Sequence, residues 1–142
     1  MNISLKGKIA LVGGSTRGIG LAIANQLASS GASVCLMSRN QSKMEKIVDK
    51  LSKDLNQEHS FIKVDFSDFD SLKVIMKDFF SKIKIDILIN NTQGPSSGNA
   101  LSKSVNDYQF AFDLLFKNIV YTSSLAIDHM KKQNWGRIIN VA

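Results

Sequence analysis

Lys8-Ile9-Ala10-Leu11-Val12 runs directly into Gly13-Gly14-Ser15-Thr16-Arg17-Gly18-Ile19-Gly20, after which Ile19, Ile23 and Leu27 recur at helical spacing. That succession reads as an apolar strand, a glycine turn and a helix. Glycines let the main chain turn tightly and let a diphosphate approach it closely. The free N–H groups at the start of the helix, backed by its dipole, attract negative charge. A glycine cluster alone marks only a tight turn; placed after the first strand of an alternating α/β chain, it favours a nucleotide. The spacing is Gly14-x3-Gly18-x-Gly20 rather than Gly-x-Gly-x-x-Gly, because the last small residue of that pattern would fall at Ile23.

With Arg17-Gly18-Ile19-Gly20 in that longer spacing, the turn resembles the one that opens the short-chain dehydrogenase/reductase family. Further motifs follow in order. Asp65, in Val64-Asp65-Phe66-Ser67-Asp68, fits the family's adenine-contacting Asp after the third strand. Asn90-Asn91-Thr92-Gln93 replaces its Asn-Asn-Ala-Gly after the fourth, and Gly136-Arg137-Ile138-Ile139-Asn140-Val141 resembles its fifth strand. Taken alone, Asp65 is an ordinary turn residue and Asn90-Asn91 an ordinary strand cap. The resemblance covers the whole chain and is nearest to 3-oxoacyl-[acyl-carrier-protein] reductases. It implies that Gly14, Thr16, Arg17, Gly18, Ile19 and Gly20 hold the diphosphate region of a nicotinamide coenzyme, Asp65 and Phe66 the adenine, and Asn91 the neighbouring ribose. Gly13 stands where the family has Thr, so the bond made by that hydroxyl must be absent or replaced.

An acid after the second strand would accept from the ribose hydroxyls of NAD, whereas a 2'-phosphate needs cations there. The sequence gives Leu36-Met37-Ser38-Arg39-Asn40, with no acid until Glu45. Arg39 can stack on adenine or pair with phosphate, and Arg17 can reach the same phosphate from the glycine turn. NADP(H) is therefore expected over NAD(H).

The family resemblance also implies a reaction: a Tyr exchanges a proton with the substrate oxygen, a Lys four residues later lowers its pKa, and a Ser polarises the carbonyl as hydride passes from the nicotinamide. A phenol titrating near pH ~10 needs such a cation to act near neutrality. Neither tyrosine qualifies: Tyr108 is followed four residues on by Phe112, and Tyr121 by Leu125. In the family the Ser, Tyr and Lys lie beyond the fifth strand, and this sequence stops at Ala142. The expectation is one incomplete NADP-binding domain over 1–142, the cofactor-binding part of a reductase acting on a 3-oxoacyl thioester or similar ketone, inactive by itself. Some members use an Asn on the long helix before the fifth strand; that position is Leu115 here, and Asn118 lies one turn further along. Asn118 reads more readily as a buried, hydrogen-bonded residue than as a catalytic one. His59 and His129 are isolated, His129 reading as a partner of its helix dipole. No carboxylate pair or Cys/His cluster suggests hydrolysis or a metal.

The elements that must position these residues alternate as βαβ units do around a parallel sheet. Strands are predicted at 8–13, 33–38, 60–64, 86–90 and 136–141, giving a doubly wound Rossmann sheet of order 3-2-1-4-5. Leu72, Ile75, Met76, Phe79, Phe80 and Ile83 form one helical stripe, and Met44, Ile47, Val48, Leu51 and Leu55 another. Ser42 with Glu45 suggests a capping box for the second helix, and Gly31 a left-handed close to the first. Residues 90–104, which include Pro95, read as a loop where function resides in such sheets. The last helix, about 106–132, is apolar on more than one side, so it is expected to pack on the sheet and on a second subunit or missing neighbour. The fifth strand, at the sheet edge, is expected to need covering.

Composition bounds the alternatives. The 142 residues, 44% hydrophobic and 21% charged, suit one globular domain. One cysteine, Cys35, permits no disulfide and suits a reducing cytoplasm. The net charge of +6 comes from lysines interleaved with acids, as in Lys43, Glu45, Lys46, Asp49 and Lys50, which reads as a solvated helix face and not a nucleic-acid stripe. Polar residues Asn25, Gln26, Ser29 and Ser30 interrupt the uncharged stretch 18–38, so neither a membrane span nor an export signal is expected. The alternatives left are a nonenzymatic nucleotide-binding or interaction protein and, less favoured, a basic nucleic-acid binder.

Overall fold

The computed structural model describes residues 3–141; Met1, Asn2 and Ala142, which the expected 1–142 domain includes, lie outside the described residues. β1 (Ile9–Gly13), β2 (Ser33–Ser38), β3 (Ser60–Lys63), β4 (Ile87–Asn90) and β5 (Arg137–Asn140) form one sheet. Its order is β3-β2-β1-β4-β5, as expected, and every neighbouring pair is parallel, as the alternation of strands and helices predicts. Leu11 of β1 sits opposite Cys35 and Leu88, which sets the register of the three central strands. The predicted strands run slightly longer because flanking residues bond outside the ladder: Asp86 N–H donates to Ile9 O over 2.9 Å and Val141 N–H to Asn90 O over 3.0 Å.

Alternation along each strand feeds two cores. Ala10, Val12, Val34, Leu36, Ile87 and Ile89 face the helices α1 (Gly18–Ser29) and α2 (Gln41–Val48), meeting Ala24, Ala28 and Met44. Leu11, Cys35, Met37 and Leu88 point the other way. They pack on Leu72, Met76 and Phe79 of α3 (Phe69–Lys82) and on Ala126 and Met130 of α5 (Asn118–Lys132). A strand buried on both faces is continuously apolar, hence the unbroken Ile-Ala-Leu-Val and Ile-Leu-Ile runs.

Gly31 closes α1 at φ +99°, as expected. The second helix differs from expectation twice. Its N-cap is Asn40, whose Oδ1 accepts from Lys43 N–H and Ser42 Oγ at 3.0 Å each, while Glu45 accepts from Gln41 at 2.9 Å; the Ser42–Glu45 capping box does not form. The helix also ends at Val48, tightened by a bond from Lys50 N–H to Ile47 O, 2.9 Å. Leu51 is buried in the following turn and Leu55 is 42% exposed, so the last two members of the predicted stripe are not helical. Asn56, at φ +63°, reverses the chain toward Gln57, whose amide donates to Ala28 O over 2.7 Å.

The last helix begins with α4 (Val105–Phe112), capped by reciprocal bonds between Ser104 and Asp107, and runs through a π-turn (Asp113–Lys117) into α5. Over Val105–Lys132 it is long and apolar enough to cross a membrane. In the fold, Leu114, Asn118, Thr122, Ala126 and Met130 form its buried side. The second apolar face is exposed along Phe112, Phe116, Val120 and Ile127, and nothing among the described residues buries it, which leaves it to the second subunit or missing neighbour that the sequence pattern suggests.

The opposite end of the sheet is fastened by Asp86. Its Oδ2 accepts from Ile9 N–H at 2.8 Å and its Oδ1 from Gln133 at 2.6 Å, with His129 Nε2 3.6 Å away. His129 lies in the last turn of α5, where the dipole reading placed it. His59 is a structural link: Nδ1 accepts from Val34 N–H at 3.1 Å, which leaves Nε2–H to donate to Ser52 O at 2.8 Å.

Candidate coenzyme site

Between the end of β1 and the start of α1, the main chain takes left-handed conformations at Gly14 (φ +55°) and Gly18 (φ +54°), which glycine adopts without steric penalty. Arg17, the N-cap of α1, is extended and supplies no side-chain cap, and the first turn carries no acid. The leading N–H groups of α1 therefore have neither a capping side chain nor a carboxylate beside them, which leaves them to an anion. A Cβ at Gly18 would meet nothing, because that position opens into the cleft.

The turn is held from beneath. Asn91, directly after β4, donates from Nδ2 to Gly13 O over 3.1 Å. A Cβ on Gly13 would lie 2.5 Å from Asn91 O, so the Thr that the family pattern has there does not fit this arrangement. A Cβ on Gly20 would run into Gly14 O and come within 2.7 Å of Asn91 Nδ2. Ser15 braces the turn from the side: its Oγ accepts from Met37 N–H at 3.0 Å, and it is fully buried. Thr16 Oγ1 and Ser38 Oγ share a 3.4 Å hydrogen bond.

Around this turn lies a cleft of about 670 Å³. Gly14, Thr16, Arg17, Gly18, Ile19, Arg39, Phe66 and Asn91 all line it, so most of the residues singled out in the sequence converge. Gly20 is buried behind it. Lys43, from the first turn of α2, and Gln93, from the loop after β4, line it too; neither is among the coenzyme-binding residues that the sequence suggests. Lys43 had been counted with the solvated lysines, and only the placement of α2 beside the turn brings it to the cleft. The wall carries three cations, Arg17, Arg39 and Lys43, and no carboxylate.

A smaller pocket of about 140 Å³ adjoins it, lined by Asp65, Phe66, Arg39 and Gln93 among others. Asp65 Oδ1 accepts from Ser67 N–H at 2.9 Å and from Ser67 Oγ at 2.6 Å. These bonds, more than the nearby Arg39 charge, hold its carboxyl below the ordinary carboxylate range. Asn118 lines neither cavity. It is enclosed, donating to Phe66 O at 2.7 Å and to Leu114 O at 3.0 Å across the π-turn, with Oδ1 unpartnered. Tyr108 and Tyr121 donate to the main-chain oxygens of Ala100 and Lys73, 3.2 Å each. Among the described residues no group of three or more His, Cys, Asp or Glu side chains is arranged to hold a metal.

A doubly wound parallel sheet with an uncapped glycine turn at the C-terminal end of its first strand defines a dinucleotide-binding fold of the Rossmann class. The sequence profile of the short chain dehydrogenase family matches residues 8–142, and the chain belongs to that family. It is 38% identical to the 3-oxoacyl-[acyl-carrier-protein] reductase FabG of Chlamydia pneumoniae, over 100% of this chain and 57% of the relative. It is 28% identical to FabG of Aquifex aeolicus, over 100% of this chain and 58% of that one. Among solved structures, L-sorbose reductase of Gluconobacter frateurii, complexed with NADPH and L-sorbose, superposes with a TM-score of 0.86 at 26% identity, covering 99% of this chain and 54% of that one. The 3-oxoacyl (acyl-carrier-protein) reductase of Agrobacterium tumefaciens C58, with NADP bound, gives 0.85 at 26% identity, covering 96% and 53%. The chain thus spans little more than half the length of these relatives.

Proposed function

We propose that this chain is the coenzyme-binding part of an NADPH-dependent reductase of the short-chain type, reducing the carbonyl of a 3-oxoacyl thioester or similar ketone. The observation that carries the reading is the uncapped α1 N-terminus opening into a cleft whose ionic side chains are all cations. Gly14, Thr16, Gly18, Ile19 and Gly20 form the diphosphate cradle, and Arg17 stands beside it. Arg39, with Lys43, takes the 2'-phosphate; Asp65 and Phe66 take the adenine. Asn91 supports the ribose end while its amide holds Gly13. When bound, the coenzyme supplies a hydride to the carbonyl carbon, and the oxygen takes a proton, giving an alcohol and the oxidised coenzyme.

Neither tyrosine suits the proton donor's role: both phenols are tied to main-chain oxygens and neither has a lysine four positions on. The chain's own contribution is to bind and orient the coenzyme. A concave arrangement of cations suits a small anionic ligand better than a nucleic acid, whose regular phosphates call for a stripe. The exposed face of α4–α5 and the edge strand β5, where Ile139 is 49% exposed, support a homo-oligomeric contact through the long helix. The free, buried Cys35 is compatible with the cytoplasm.

Titration calorimetry of the folded chain with NADPH and NADH tests the reading: binding of NADPH, tighter than NADH, is expected. No heat with either would sink it. The nonenzymatic alternative predicts that coenzyme binding survives while no longer form of the chain oxidises NADPH with a 3-oxoacyl thioester.

A further inference from the structure

Arg39 follows β2 and Gln93 follows β4, with β1 between them, so their backbones stand about two strand spacings, roughly 10 Å, apart. Their side chains close that gap: Arg39 Nη2 donates to Gln93 Oε1 over 2.7 Å. Both residues line the cleft at the glycine turn and also the smaller pocket of Asp65 and Phe66. The hydrogen bond is therefore part of the partition between the two cavities, beside Phe66 and Gly94, which also line both. A nucleoside that reaches from the turn to Asp65, which lines only the smaller pocket, crosses that partition.

We propose that Gln93 is an internal competitor for Arg39: its amide oxygen occupies the guanidinium across the site in the free protein and is displaced whenever an adenine dinucleotide binds. The proposal rests on the coenzyme reading above and adds to it a residue that sets affinity. Gln93 is exposed, so its freed amide is rehydrated after displacement and the lost bond is the main penalty. That penalty applies equally to both coenzymes, since both cross the partition. Selection between them stays with Arg39, which gains an ionised acceptor only from a 2'-phosphate, a bond about twice as strong as a neutral one. Gln93 thus governs how tightly any dinucleotide is held, and Arg39 governs which one.

Calorimetric titration of the folded chain and its Gln93→Ala variant with NADP⁺, NAD⁺ and inorganic pyrophosphate tests this. Removing the competitor tightens NADP⁺ and NAD⁺ by the same factor, about fivefold, the value of one solvent-exposed hydrogen bond. Pyrophosphate, which occupies the turn without crossing the partition, binds as before. In an Arg39→Ala background the Gln93→Ala change has no effect on NAD⁺. Gln93→Glu acts in the opposite direction, weakening both dinucleotides by gripping Arg39 with a charge. A damaged fold cannot tighten binding, so unchanged or weakened dinucleotide affinity in Gln93→Ala overturns the proposal. So does a Gln93→Ala gain that persists without Arg39. If the unaltered chain binds neither coenzyme, the coenzyme reading itself fails; if it binds them and Gln93→Ala does not tighten them, only the competitor role fails.

Discussion

Asn91 Nδ2 and the main-chain oxygen of Gly13 lie 3.1 Å apart, in a bond that fastens the loop after β4 to the end of β1 directly under the glycine turn. Replacing Asn91 by Ala removes one hydrogen bond, worth about 1 kcal/mol, and loosens the turn. Chemical denaturation is expected to show that loss, with weaker NADPH binding. Gly20→Ala is expected to do more damage, because its Cβ meets the rigid main-chain oxygen of Gly14. Coenzyme binding by Gly20→Ala equal to that of the parent chain would contradict the packing described.

In the proposed function, Arg39 separates the two coenzymes. Arg39→Asp should weaken NADPH by about 1.5–3 kcal/mol, roughly 10- to 100-fold, as a charge-assisted bond is lost and a like charge faces the phosphate. NADH should lose far less. Parallel titrations check the ratio. A nucleic-acid binder would instead keep salt-sensitive DNA binding after this single change.

Asp86 tests the other end of the sheet. Asp86→Ala leaves the Ile9 N–H without its acceptor and the Gln133 amide with only Trp135 O, and should destabilise the fold by about 1–3 kcal/mol. Urea unfolding reads the loss. The glycine turn lies at the opposite ends of the strands, so coenzyme affinity in the folded variant should be unchanged.

Cys35 should be inert in the native protein. Burial raises its thiol to about 11, from an ordinary 9.0, because the thiolate is poorly solvated between the sheet and α3. The unfolded chain then releases this proton first as pH rises. The contribution to stability is full below pH 9.0 and is lost progressively as pH climbs toward about 11. Iodoacetamide labelling at pH 8 should follow global unfolding; rapid labelling of the folded chain would show the site is open.

The 142-residue polypeptide should oxidise no NADPH in the presence of a 3-oxoacyl thioester, since neither Tyr108 nor Tyr121 has the lysine partner that would lower its pKa. Spectrophotometry at the NADPH band reads this directly, and turnover would show that another group in the chain delivers the proton.

What the sequence by itself determined is what depends on neighbours along the chain. The strand–glycine turn–helix succession, the apolar runs of a doubly buried sheet and the helical stripe of α3 are local patterns. Their alternation called for a doubly wound parallel sheet, and the order that the family resemblance implied is the one found, β3-β2-β1-β4-β5. Gly31 could be read because a left-handed close is a property of one residue. The errors were local competitions with more than one outcome: Asn40 captured the cap of α2 from Ser42, and the backbone tightened after Val48 although Leu51 and Leu55 kept the spacing. At the π-turn, 113–117, the Asn118 amide reaches back to Leu114 O, a contact that no periodicity marks.

Only the tertiary structure decided the pairs that make the site. Asn91 meets Gly13 across 78 positions, Arg39 meets Gln93 across 54, and Ser15 meets Met37 across 22. Lys43 joins Arg17 at one cleft because α1 and α2 cover the same face of the sheet, not because of any spacing between them. Parallel register is what brings strand ends distant in sequence to one edge of the sheet. A side chain's partner there is fixed by which strands are neighbours and by how far each extends, information that residue order carries only once the whole sheet has closed.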